Sequence, residues 1–133
     1  MRATPLAPNL SPLNTLARRR EAQALGRGAE DLVAEQLQAA GYTILAQRLR
    51  TKAGEIDLVV AEDRRLIFIE VKARPRLAEA AYAVSARQQA RLLEAAGVAL
   101  ATRPEWAREE TRFDVALIAG GAVQMIKDAI RYS

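Results

Sequence analysis

The chain contains no cysteine and no histidine. That double absence excludes thiol chemistry, zinc fingers, Ser-His-Asp triads and any imidazole general base. Without cysteine there is also no reason to place the chain in an oxidising compartment. Chemistry is left to carboxylates, lysine, arginine, hydroxyls and the backbone, a set that holds a hard cation such as Mg²⁺ or Mn²⁺. Aromatic residues are scarce and scattered, at Tyr42, Phe68, Tyr82, Trp106, Phe113 and Tyr132. No stacking platform for single strands is evident, and Tyr82 is the one candidate for stacking on a displaced base. Met1 to Asn14, punctuated by Pro5, Pro8 and Pro12, lacks the continuous apolar run of a signal peptide or membrane span. It is expected to be a mobile tail (1–14) ahead of a single cytoplasmic domain (15–133) with no membrane partner.

What is present suits one compact domain: 133 residues, 50% of them hydrophobic. The net charge of +4 and the pI near 10.0 come mostly from arginine, because Lys52, Lys72 and Lys127 are the only lysines. Arginine matches phosphate through its bidentate fork. Any single arginine could equally be a solvated surface residue, so charge alone names no partner.

Apolar positions Leu25, Ala29, Leu32, Val33, Leu37 and Ala40 recur at helical spacing and predict a helix from Leu16 to Ala40, ended by Gly41. Short β-prone runs follow at Tyr42 to Leu45, Ile56 to Ala61 and Leu66 to Lys72. Val84 to Ala101 reads as a second helix, with Ser85 as N-cap and Arg103-Pro104 as the stop. Phe113 to Ala119 is a fourth strand, and Ala122 to Ile126 could add a hairpin partner. The order predicts an α/β fold.

Two strands carry acid where a buried strand should not. Between Asp57 and Glu70 lies the polar turn Glu62-Asp63-Arg64-Arg65, so the second strand returns alongside the first and the carboxylates can meet. Burying them costs several kcal/mol per ion unless partners or a metal compensate. Glu70 and Lys72 share one strand face, with Ile67, Ile69 and Val71 on the other. Asp57 shares a face with Glu55 and Val59, leaving Ile56, Leu58 and Val60 to pack behind. On the first helix Glu30 lines up with Gly26, Val33 and Leu37, whereas Asp31, Glu35 and Gln38 form a separate polar stripe.

Taken singly, Glu70 and Lys72 are an ion pair at a strand end, and Asp57 is a cap near Gly54. Together with Glu30 they suit phosphodiester hydrolysis. Glu30, Asp57 and Glu70, helped by the Val71 carbonyl, would hold Mg²⁺ or Mn²⁺; Lys72 would steady the attacking water and the transition state. Glu55 is either a further ligand or a partner of Lys52 or Arg50.

Gly26-Arg27-Gly28-Ala29-Glu30, Gly41-Tyr42-x-Ile44-Leu45, Arg50-x3-Gly54-Glu55-Ile56-Asp57-Leu58, Phe68-Ile69-Glu70-Val71-Lys72-x-Arg74 and Arg112-Phe113-Asp114-Val115 resemble, in order and spacing, the YraN-like family of small bacterial proteins. The resemblance spans about Leu25 to Val123. It implies a branch of the PD-(D/E)XK nuclease superfamily, with a restriction-endonuclease-like αβββαβ core, a central mixed sheet flanked by helices, and similarity to archaeal Holliday junction resolvases. By that resemblance Glu30, Asp57, Glu70 and Lys72 fall on active-site positions. Two departures stand out. Many relatives carry Asn before an aromatic and Arg where this chain has Arg48-Leu49-Arg50, and usually place Lys early in the second helix where this chain has Gln88.

Arg48, Arg50 and Lys52 precede Asp57, Arg74 and Arg76 follow Lys72, and Arg87 with Arg91 share a helix face; with Gln88 these would contact phosphates in a salt-dependent, sequence-tolerant way. The expectation is an Mg²⁺-dependent nuclease acting on DNA, branched DNA by analogy, with pairing of two copies left open. Two rivals are a non-catalytic nucleic-acid-binding module and a protein-interaction adaptor contacting partners through Arg18-Arg19-Arg20 or the region around Trp106.

Overall fold

The computed structural model describes residues 28–73, 84–119 and 121–131. The predicted tail, Arg18-Arg19-Arg20, Arg74, Arg76 and Tyr82 lie outside the described residues.

Residues 28–39 are helical and form α1. Its end is a Schellman motif: the Tyr42 N–H donates to the Leu37 carbonyl at 3.0 Å and the Gly41 N–H to Gln38 at 3.0 Å. Gly41 has φ of 103°, which a side chain would resist. Three antiparallel strands follow, β1 (Thr43–Thr51), β2 (Gly54–Glu62) and β3 (Arg65–Ala73). Helix α2 (Ala86–Thr102) then crosses over, and β4 (Glu110–Ala119) lies parallel to β3 before β5 (Ala122–Ile126) returns antiparallel beside it. The sheet is therefore mixed, in the order β1-β2-β3-β4-β5.

One correction concerns β1, which runs well past the expected Tyr42 to Leu45 and takes in Ala46 to Thr51. Its polar residues hid it: β1 pairs on one side only, so Gln47, Arg48 and Arg50 remain exposed while the ladder to β2 holds them extended.

Each sheet face has its own core. On one, Val33, Ala34 and Leu37 of α1 cover Leu58, Val60, Ile67, Ile69, Ala116 and Ile118. On the other, Leu92, Ala95, Ala96 and Ala99 of α2 cover Val59, Leu66, Phe68, Phe113, Val115 and Leu117. The small alanines bring α2 close to the sheet, and Phe68 stacks on Phe113 with ring centroids 5.5 Å apart. β2 is thus buried on both faces, the pattern of a central strand. Ile56 does not pack with Leu58 and Val60 as strict alternation requires; it joins Val59 on the α2 side. The pairing of β2 with β3 reaches only as far as Leu58↔Ile69, and the end of β2 beyond it follows β1 alone. Alternation resets there, beside Asp57.

After β5 the chain is pinned back. The buried Asp114 carboxylate accepts bonds from Arg112 at 2.8 and 2.9 Å and from the Asp128 N–H at 2.8 Å, and Ile130 is seated in the α2-side core.

Candidate active site

The site lies where β2 and β3 separate. At that point the Val71 N–H donates to Asp57 Oδ2 at 2.8 Å, so a side-chain carboxylate takes the bond a ladder carbonyl would otherwise accept. One backbone hydrogen bond therefore fixes Asp57 at the mouth of the fork. Glu70 and Lys72 leave the same face of β3, as their spacing predicts, and pair with Lys72 Nζ 3.2 Å from Glu70 Oε2. Both are largely covered, with side chains 17% and 15% exposed.

Asp57 and Glu70 line one cavity together with Glu55, Gln88, Arg91 and Leu92. Two of the predicted phosphate contacts thus face the predicted acids. Arg91 reaches the cavity by lying against Gly54, whose φ of 139° and missing Cβ leave room for it. Gln88 is set by a capping box: its Oε1 accepts the Ser85 N–H at 3.0 Å, while its own N–H donates to Ser85 Oγ at 3.2 Å. With the amide oxygen occupied there, the amide NH₂ is the group left to serve a ligand. The Ser85-x-x-Gln88 spacing is the sequence signature of that box.

Glu30 projects inward from α1, its side chain 14% exposed, and stands beside Asp57. Arg48 Nε sits 2.7 Å from Glu30 Oε1, and that buried oxygen has no well-aligned hydrogen bond. Burial, then the negative charge of Asp57, pushes the Glu30 carboxyl up to about 7, against the opposing pull of Arg48. Burial likewise raises Asp57, opposed by the Val71 N–H and Lys72, and burial followed by the Asp57 charge raises Glu70, opposed by Lys72 and Arg91. Three neighbouring acids held above their ordinary range form a site short of positive charge.

Among the described residues, no three His, Cys, Asp or Glu side chains form a ready metal-ligand set. Asp57 and Glu70 share the cavity, whereas Glu30 is engaged by Arg48. The donor chemistry nevertheless suits a hard cation, because the acids that converge here offer carboxylate oxygens alone. Of the remaining candidates, Arg50 is 91% exposed and stands 3.9 Å from Glu55, the pairing foreseen for Glu55, which also lines the cavity. Lys52 is exposed in the β1–β2 turn, and Arg87 is exposed in the first turn of α2. No helix among the described residues is long and apolar enough to cross a membrane.

A mixed five-stranded sheet between two helices, with the acids at the fork of its antiparallel ribbon, is a restriction-endonuclease-like α/β core. The chain belongs to UPF0102, described as an uncharacterised protein family, whose model matches residues 29–118. It is 53% identical over 115 residues to a UPF0102 protein of Acidiphilium cryptum, covering 86% of this chain and 90% of that protein. It is 50% identical over 115 residues to one of Azorhizobium caulinodans, covering 84% and 88%. A third, from Granulibacter bethesdensis, is 48% identical over 107 residues, covering 80% and 68%. The YraN-like resemblance seen in the motifs is this same family.

Proposed function

We propose that this protein is a divalent-cation-dependent nuclease that hydrolyses DNA phosphodiester bonds, with branched DNA as its substrate class by analogy of fold. The observation that carries this reading is the convergence of Asp57 and Glu70 on one cavity with Lys72 paired to Glu70 beside them.

Asp57 and Glu70 would hold Mg²⁺ or Mn²⁺, with Glu30 completing the set. Such an ion lowers the pKa of bound water and offsets charge on the phosphate. Lys72 supplies a cation beside the attacking water and the non-bridging phosphate oxygens. Attack forms a bond from the water oxygen to phosphorus and breaks the bond to the leaving sugar oxygen; the attacking water gives up one proton to solvent, and the departing oxygen takes one from solvent. Arg91 and the Gln88 amide approach the phosphate from α2; Arg50, Lys52 and Arg87 track the flanking backbone.

A second reading, a nucleic-acid-binding module without chemistry, is favoured by the engagement of Glu30 with Arg48. Both are tested with labelled duplex, single-stranded, flap and four-way DNA in Mg²⁺ or Mn²⁺, comparing wild type with Asp57→Ala and Lys72→Ala. Cleavage abolished by either substitution supports the nuclease. Salt-sensitive binding that survives Asp57→Ala, with no cutting of any substrate, supports the module.

A further inference from the structure

We infer that Arg48 is a resident counter-cation that occupies the place of the divalent ion at Glu30, so that ion binding requires its guanidinium to swing away. This rests on the metal-site reading above and concerns what controls that site.

Three observations converge on Arg48. First, its backbone is left-handed, with φ of 50°; among the described residues only Asp128 is the other non-glycine with positive φ. Side chains other than Asn, Asp and Gly seldom adopt that conformation, and such outliers persist where the surroundings impose them. Second, the register Gln47↔Leu58 and Leu49↔Ile56 sets Arg48 across from Asp57, at the fork. Third, its Nε lies 2.7 Å from Glu30 Oε1, and its Nη2 lies 3.9 Å from Asp31 Oδ1.

The kind of contact matters as much as its length. Arg48 acts on the buried Glu30 Oε1 across 2.7 Å, and the larger part of its effect on that carboxyl is its charge. A cation of higher charge density competes for that attraction at the carboxylate. Arg48 also has an exit, because its side chain is 38% exposed on edge strand β1, which carries Arg50 towards the exposed Lys52 in the adjoining turn. Displaced from Glu30, the guanidinium joins those cations on the surface where a phosphate backbone would lie. Arg48 and the ion therefore compete for Glu30, and the same displacement turns an internal counter-charge into an outward phosphate contact.

The test is calorimetric titration with Mn²⁺ of wild type, Arg48→Asn, Arg48→Gly and Arg48→Lys, none of which requires turnover. Asn and Gly suit the left-handed backbone and remove the cation, and Gly serves as the second variant should Asn fold poorly. About tenfold tighter Mn²⁺ binding is expected for both, the scale of removing one unit charge a few ångströms away in a partly screened site. Arg48→Lys, which keeps a cation, should bind within about threefold of wild type. The gain should vanish when Glu30→Gln is added to Arg48→Asn, because the contested carboxylate is then gone. If wild type binds Mn²⁺ and both Arg48→Asn and Arg48→Gly bind no tighter, the competition is refuted while the metal site stands. If none of the four proteins binds Mn²⁺, the metal-site reading itself falls, and this inference with it.

Discussion

Gly54 and Arg91 occupy one another's space: a Cβ on Gly54 would lie 2.8 Å from Arg91 Cδ and 3.0 Å from Cγ. The glycine also has φ of 139°, so a side chain there is strained even if Arg91 moves. Gly54→Ala is expected to cost about 1–3 kcal/mol of stability through the backbone. It should also weaken DNA binding by displacing Arg91. Arg91→Ala, which leaves the backbone alone, should match the binding loss without the stability loss. Urea unfolding beside fluorescence anisotropy with labelled duplex separates the two effects.

Asp57 serves both β3 and the cavity, and two substitutions divide those roles. Asp57→Asn keeps an oxygen for the Val71 N–H and removes the charge that raises Glu30 and Glu70. In chelator it should be at least as stable as wild type, yet gain nothing from Mn²⁺. Asp57→Ala leaves that N–H without its acceptor, a cost of about 1–3 kcal/mol. Thermal melts with EDTA and with Mn²⁺ check the contrast.

The raised acids fix a direction of pH dependence. Glu30 has an ordinary value of 4.5 and is held near 7 in the folded chain, with Asp57 and Glu70 raised as well. Between those limits these groups bind more protons in the folded state than in the unfolded one, so their contribution to stability is fully present below about 4.5 and is lost as pH rises through about 7. Glu30→Gln should flatten that decline, as urea midpoints taken from pH 5 to 8 would show. Mn²⁺ binding should strengthen over the same interval, because the ion displaces the protons.

Asp114 anchors the end of the described chain. Asp114→Ala strips the half-buried Arg112 of two bonds and the Asp128 N–H of its acceptor, and a loss of about 3–5 kcal/mol is expected. Asp114→Asn keeps acceptors and should lose less. Neither should alter Mn²⁺ affinity in protein that remains folded. Denaturation and calorimetry on the same samples provide the comparison.

Most elements were legible because their residues repeat at the period of their structure. The cap at Ser85, the stop at Arg103-Pro104, the shared face of Glu70 and Lys72 and the inward Glu30 all follow local spacing. Features that depend on departures from regular geometry were hidden. The extent of β1 was masked by polar edge residues, and Ile56 switched cores because β2 leaves β3. The Arg48–Glu30 contact depends on a left-handed residue inside a strand, which no hydrophobic pattern announces. Spacing placed the acids near one another; the Val71 hydrogen bond and the intervening guanidinium decide how they are held.

The sheet mixes two kinds of closure, and this dictates an order of assembly. β1, β2 and β3 meet through short turns, so their ribbon can zip from neighbouring sequence and bring Asp57 to Val71 early. The parallel seam of β3 with β4 joins Arg65 to Glu110 and must wait for the intervening crossover, a slower search at higher contact order. A refolding chain would thus gather its mutually repelling carboxylates before α2 delivers Arg91. If those acids hold a divalent ion as proposed, Mn²⁺ added at the start of refolding should raise the folding rate in stopped-flow experiments, because it would act on the early ribbon.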